Sequence, residues 1–292
     1  MKLIEQSEEV VRVTGGWREE GQRIVLVPTM GWFHEGHLSL MRMARSLGTK
    51  IIVSLFVNPI QFGPREDLAA YPRDLDRDRR LAELEGVDAL FAPAVEEMFE
   101  PEFQTRVTLS RISQGLCGAD RPGHFDGVAT IVTKLFHLMT PHVAVFGEKD
   151  LQQLALIRRM VRDLNFQVKI VGHPIVREQD GLALSSRNSY LTAAERRTAL
   201  CLSQAIGQAR NIVRRSGKSA SVADLIAGAT AYINAHEGCQ VDYVSIVDRW
   251  TLLPSTEIDQ DSVMALAVKI NGRVRLIDNG LLLKPIADVL VP

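Results

Sequence analysis

Apolar and polar positions along the chain follow two alternating rhythms. Short β-branched runs predict strands at Arg23 to Val27, Lys50 to Val57, Val87 to Ala92, Val143 to Phe146 and Gln167 to Val171. Between them lie segments of helical period. Leu38, Met41, Ala44 and Leu47 share one face until Gly48 stops the helix. The charged stretch from Arg73 to Glu85 predicts a second helix. Val128, Ile131, Val132, Leu135, Phe136 and Met139 predict a third that is largely buried and ended by Pro141, and Asp150 to Leu164 predicts a fourth. Strand and helix in alternation imply right-handed βαβ crossovers and a parallel sheet.

After Pro174 the rhythm changes. An irregular stretch through Arg187 precedes two long helical patterns near 193–215 and 221–235, and three strand-like runs follow at Val241 to Val247, Val263 to Ile270 and Val274 to Leu282. The expected fold class is therefore α/β: a Rossmann-like parallel sheet with helices on both faces, plus a smaller C-terminal α+β domain. The expected domains are 1–175 and 176–292.

Composition narrows the partners. The 292 residues carry 34 Lys and Arg against 35 Asp and Glu, a net charge of −1, so no broad basic field awaits nucleic acid or an anionic membrane. Any bound anion must be held by local cations, helix N-termini and backbone amides. Cys117, Cys201 and Cys239 are odd in number and widely spaced, which fits a reducing compartment. With no apolar run near 18 residues and no secretory signal, the expected location is the cytoplasm, away from membranes.

The candidate chemistry begins where the first strand ends. Pro28 to His37 reads PTMGWFHEGH and leads into a helix, the place where an open α/β sheet binds phosphate. His34 and His37 are placed to reach such a phosphate, and Gly31 and Gly36 allow close approach of the backbone. An ordinary turn with helix-capping histidines is the plainer alternative. The segment from Gly147 through Glu148, Lys149 and Asp150 to Gln153 repeats the strand-to-helix arrangement, with Lys149 suited to phosphate and Asp150 to ribose. Ser185, Ser186 and Arg187, in a polar loop, can close over a triphosphate. Helix capping and surface ion pairing are the plainer readings of these two segments.

Six blocks, PTMGWFHEGHLSL, FVNPIQFG, YPRDLDRD, RPGHFDGVATIV, VFGEKDLQQL and ALSSRNSYL, resemble in order and spacing the signatures of the pantothenate synthetase family, the pantoate–β-alanine ligases. The histidine motif is also similar to that of class I aminoacyl-tRNA synthetases and nucleotidylyltransferases. The resemblance implies an AMP-forming ligase that condenses (R)-pantoate with β-alanine to give pantothenate, AMP and diphosphate through a pantoyl adenylate, with ATP as co-substrate, Mg2+ as cofactor and a homodimeric assembly.

It further implies that Met30, Gly31, Trp32, Phe33, His34, Glu35, Gly36 and His37 bind ATP together with Gly147, Glu148, Lys149, Asp150, Val176, Leu184, Ser185, Ser186 and Arg187. His37, as proton donor, His34, Lys149 and Arg187 are the implied catalytic set. Gln61 is implied to hold pantoate and to lie near β-alanine, Gln153 to hold pantoate, and Asn58 to belong to the substrate site. Asp78 matches a carboxylate associated with Mg2+; Arg77 interrupts this acidic stretch, which leaves Asp74, Asp76 and the ATP oxygens as alternative holders of the ion. Two other functions compete with this reading: a nucleotidylyltransferase that leaves AMP on a phosphate acceptor, and a catalytically silent nucleotide-sensing module.

Overall fold

The computed structural model describes residues 1–64, 66–283 and 289–290. The chain divides into two compact units. One comprises Met1–Ser113, Arg121–Gly147 and Leu156–His173, and the other Gln114–Asp120, Glu148–Ala155 and the chain from Pro174 onward. The two short excursions, 114–120 and 148–155, have no counterpart in the sequence pattern.

The first unit is built on six parallel strands: β1 (Lys2–Ile4), β2 (Ile24–Thr29), β3 (Lys50–Leu55), β4 (Ala89–Phe91), β5 (Val143–Gly147) and β6 (Lys169–His173), in the order β1-β4-β3-β2-β5-β6. Helices α1 (Ser7–Glu19), α2 (Glu35–Leu47), α3 (Leu75–Leu84), α4 (Val95–Met98) and α6 (His124–Met139) belong to it. The short helix α5 (Cys117–Asp120) lies in the other unit, and α7 (Leu151–Asp163) begins there.

Strand β2 explains its own composition. It pairs with β3 on one side and β5 on the other, so Ile24, Val25, Leu26 and Val27 are fully buried and read as one continuous apolar run. The chain proceeds from β2 to β3 and β4 in one direction and then returns to place β5 and β6 on the opposite side. The order reverses between β2 and β5, which makes their carboxyl ends the sheet's switch point.

Strand β1 and helix α1 are absent from the sequence reading. The strand has only three residues, and the helix contains the pair Gly15-Gly16, which costs helical propensity and blurs its period. Helix α6 starts four residues before the predicted Val128, because Gly123 turns the chain in the left-handed region just ahead of it.

In the second unit, β8 (Cys239–Asp248), β9 (Ser262–Ile270) and β10 (Val274–Leu281) form an antiparallel sheet in the order β10-β9-β8. The predicted helical stretch 193–215 is two helices, α8 (Ala193–Ala199) and α9 (Cys201–Ser216), separated at Leu200; α10 (Val222–Asn234) follows. Leu202, Ile206, Leu225, Ile233, Met264, Leu266 and Val268 make the core between sheet and helices. A short parallel pairing of β7 (Val176–Arg177) with β11 (Val289–Leu290) completes the unit. Among the described residues, no helix is long and apolar enough to cross a membrane.

Candidate active site

The histidine loop leaves β2 at the switch point. Gly31 and Trp32 adopt left-handed backbone angles, with φ of 85° and 52°, and turn the chain so that Phe33 plunges into the core at 0% exposure. The next residue, His34, caps α2: its Nδ1 accepts the Gly36 amide at 3.1 Å, and His37 Nδ1 accepts the His34 amide at 3.4 Å. The two rings stand 4.2 Å apart. Helix capping, the plainer reading of the sequence, is what the two imidazoles do here. With Nδ1 of each ring accepting, the proton of each neutral imidazole resides on Nε2. Glu35 opens the helix and pairs with Arg42.

Asp78, assigned by resemblance to Mg2+, is engaged otherwise. It is 1% exposed; Oδ2 accepts the Trp32 amide at 2.6 Å and Oδ1 the Phe33 amide at 2.7 Å, with Arg77 Nη1 at 3.2 Å. Burial pushes its carboxyl above the ordinary range, against the opposing pull of the two amides and the guanidinium. A carboxylate so enclosed does not fit an open metal ligand. Asp74 instead caps α3 by accepting the Arg77 amide, and among the described residues no group of three or more His, Cys, Asp or Glu is arranged to hold a metal ion. Gly31 also makes room for this carboxylate, since a Cβ there would lie 3.0 Å from Asp78 Oδ2.

The loop after β3 brings Gln61 to the histidine loop. Gln61 Nε2 donates to Met30 Sδ at 2.9 Å, while its Oε1 accepts from Asn58 Nδ2 at 3.0 Å. Asn58, 1% exposed, also donates to the Gly127 carbonyl at 3.0 Å. Asn58 thus fixes the flip of the Gln61 amide, turning its NH2 toward Met30 in the histidine loop.

Four residues that sequence reasoning did not single out support this loop. His124 Nδ1 lies 2.7 Å from the Gln61 carbonyl, and Arg121 Nη1 lies 3.0 Å from His124 Nε2. Burial works against the charge on Glu66, but its ion pair with Arg121 prevails and holds its carboxyl below the usual range. Gly127, on α6, lies so close that an added Cβ would stand 2.6 Å from Gln61 Cα and from the Ile60 carbonyl oxygen. The block RPGHFDG carried the signal, read only as resemblance.

In the second unit, the turn at Glu148 and Lys149 leads into α7. Lys149 and Ser185 line one small cleft with Leu182, Ala183, Leu202 and Asp278. Ser185 Oγ accepts the Arg187 amide at 3.3 Å and opens the 3-10 turn Ser186–Tyr190, while the Leu184 amide donates to the Val176 carbonyl at 2.9 Å. Glu148 faces Arg249 at 3.8 Å. Asp150 is exposed and its carbonyl accepts the Leu154 amide at 3.0 Å. Gln153 is half-buried on the first turn of α7. Behind them, Arg177 and Asp278 form a buried bidentate ion pair at 2.7 and 2.8 Å.

Comparison with known proteins shows the family. A family model described as pantoate-beta-alanine ligase matches residues 2–281. The chain is 52% identical over 286 residues to the pantothenate synthetase of Desulfotalea psychrophila, covering 97% of this chain and 100% of that one. A crystal structure of the pantothenate synthetase of Thermus thermophilus superposes with a TM-score of 0.92 at 44% identity, covering 97% of this chain and 100% of the other. A pantoate-beta-alanine ligase from Francisella tularensis, complexed with beta-gamma ATP and beta-alanine, superposes with a TM-score of 0.78 at 31% identity, covering 96% and 97%. A switch-point histidine loop, a glutamine loop bonded to it and relatives matching over nearly the whole length lead to one conclusion: the chain belongs to the pantoate–beta-alanine ligase family of AMP-forming acid–amino-acid ligases.

Proposed function

We propose that the chain forms pantothenate in two steps at the nucleotide and glutamine loops. A carboxylate oxygen of pantoate attacks the α-phosphorus of ATP, the bond to the β-phosphate breaks, and diphosphate leaves with the electron pair. The amine of β-alanine then attacks the acyl carbon of the pantoyl adenylate, loses a proton and expels AMP. Neither step needs an enzyme nucleophile; positioning and charge neutralisation supply the catalysis.

The contact between Gln61 and Met30 carries this reading, because it sets the residue assigned to pantoate against the loop assigned to ATP. The Gln61 amide, turned by Asn58, offers N–H groups to a carboxylate or hydroxyl without adding a charge that competes with phosphate. His34 and His37 offer Nε2–H donors to phosphate oxygens, and the amide ends of α2 add positive potential. Lys149, Ser185 and Arg187 are assigned to the same nucleotide by resemblance, with Gln153 as a further pantoate contact. Mg2+ is assigned to the triphosphate oxygens, where it would neutralise charge on the departing diphosphate.

The deciding measurement is AMP and diphosphate formation from ATP, pantoate and β-alanine, with each omitted in turn, together with ATP–diphosphate exchange. Exchange that requires pantoate but not β-alanine is expected. Exchange independent of pantoate, or AMP left on a phosphate acceptor, would refute the ligase reading and favour a nucleotidylyltransferase.

A further inference from the structure

Trp32 is a bulky residue in the left-handed region, directly after Gly31 in the same region. Such a backbone is strained for a residue with a side chain and persists only where its surroundings over-determine it. Two side chains from α3 do so. The Asp78 carboxylate sits in the concavity lined by the Trp32 and Phe33 amides, as an anion sits in a backbone nest. Arg77 closes it from outside: Nη1 reaches Asp78 Oδ1, Nη2 donates to the Phe33 carbonyl at 2.7 Å, and the guanidinium lies 4.9 Å from the centre of the Trp32 ring.

We propose that Arg77 and Asp78 are positioning residues for the nucleotide loop, and that Asp78 acts as its internal anion rather than as a Mg2+ ligand. The clamp ends one residue before His34, so it sets where α2 begins and where both imidazoles point. It also consumes the Trp32 and Phe33 amides, leaving phosphate recognition to groups further along the loop. The planar fork of Arg77 bonds, stacks and pairs at once, which lysine cannot reproduce. The nucleotide consequence rests on the proposed ATP reading; the clamp itself does not.

The test uses the full chain with Trp17→Phe and Trp250→Phe, so that Trp32 alone fluoresces, and adds Arg77→Lys or Asp78→Asn. Acrylamide quenching of Trp32, ATP affinity, half-saturating Mg2+ and thermal unfolding are measured. Both variants are expected to expose Trp32 to quencher and to weaken ATP binding about tenfold or more, as the loss of a charge-assisted contact predicts, with half-saturating Mg2+ unchanged. Unchanged quenching in both variants would overturn the clamp. A tenfold rise in half-saturating Mg2+ in Asp78→Asn, with Trp32 undisturbed, would restore the metal assignment. If Asp78→Asn does not fold, Arg77→Lys, which keeps the carboxylate, decides alone. If the parent binds no ATP, the nucleotide reading fails while the quenching result still judges the clamp.

Discussion

The side-chain amide of Asn279 donates to the carbonyl oxygens of both Glu148, at 3.0 Å, and Lys149, at 2.9 Å. Strand β10 thereby fixes the turn that presents Lys149. Asn279→Ala should slow pantoate-dependent ATP–diphosphate exchange by roughly tenfold or more through misplacement of that turn, while the loss of two hydrogen bonds costs only about 1–3 kcal/mol. Exchange rates paired with thermal melts test this, and a variant of unchanged rate would detach Asn279 from the site.

Gly127 sets the position of Gln61 by leaving no room for a side chain. Gly127→Ala would press a methyl against the backbone at Ile60 and Gln61, an overpacking that costs about 1–3 kcal/mol. The expected signature is a raised KM for pantoate with little change in KM for ATP, read from initial rates at saturating β-alanine.

The pair Arg177–Asp278 is buried on both sides, at 6% and 2% side-chain exposure. Asp278→Ala would leave the buried guanidinium without its carboxylate, keeping the Gly181 carbonyl at 3.1 Å, and should destabilise the fold by about 3–5 kcal/mol. Urea unfolding at pH 7 measures the loss, and a change below about 1 kcal/mol would contradict the burial argument.

Acid should weaken the second unit through Glu195. The Thr192 amide and the side chains of Asn271, Arg273 and Thr192 bond its carboxylate and hold its pKa down at about 2, against an ordinary 4.5. The unfolded chain then binds the proton more tightly. The stabilisation is complete above pH 4.5 and fades as pH falls toward 2. The difference in melting temperature between the parent and Glu195→Gln should shrink over that interval; a constant difference would refute the assignment.

The parallel sheet and the antiparallel C-terminal strands were legible because β2, β5 and β9 are buried on both faces and write that burial as unbroken apolar runs. The histidine loop and the Glu148–Lys149 turn were legible by their place between strand and helix. The support beneath them was not. His124, Gly127 and Asn279 act on residues tens to more than a hundred positions away, and no local period encodes such a contact. The setting of Asp78 was hidden for a related reason: sequence shows a carboxylate among carboxylates, whereas its burial under Trp32 and Phe33 depends on tertiary packing.

The seam between β2 and β5 ties the site to the history of the chain. The Ile24 amide bonds His142 Nδ1 across 118 positions, beside the pairing of Val25 with Val143. Closing so long a loop is slow, and a ribosome must have released β5 before β2 acquires its second neighbour. A nascent chain that ends before Val143 therefore carries both histidines without β5 beside β2, and the switch point itself should form only once that strand has emerged.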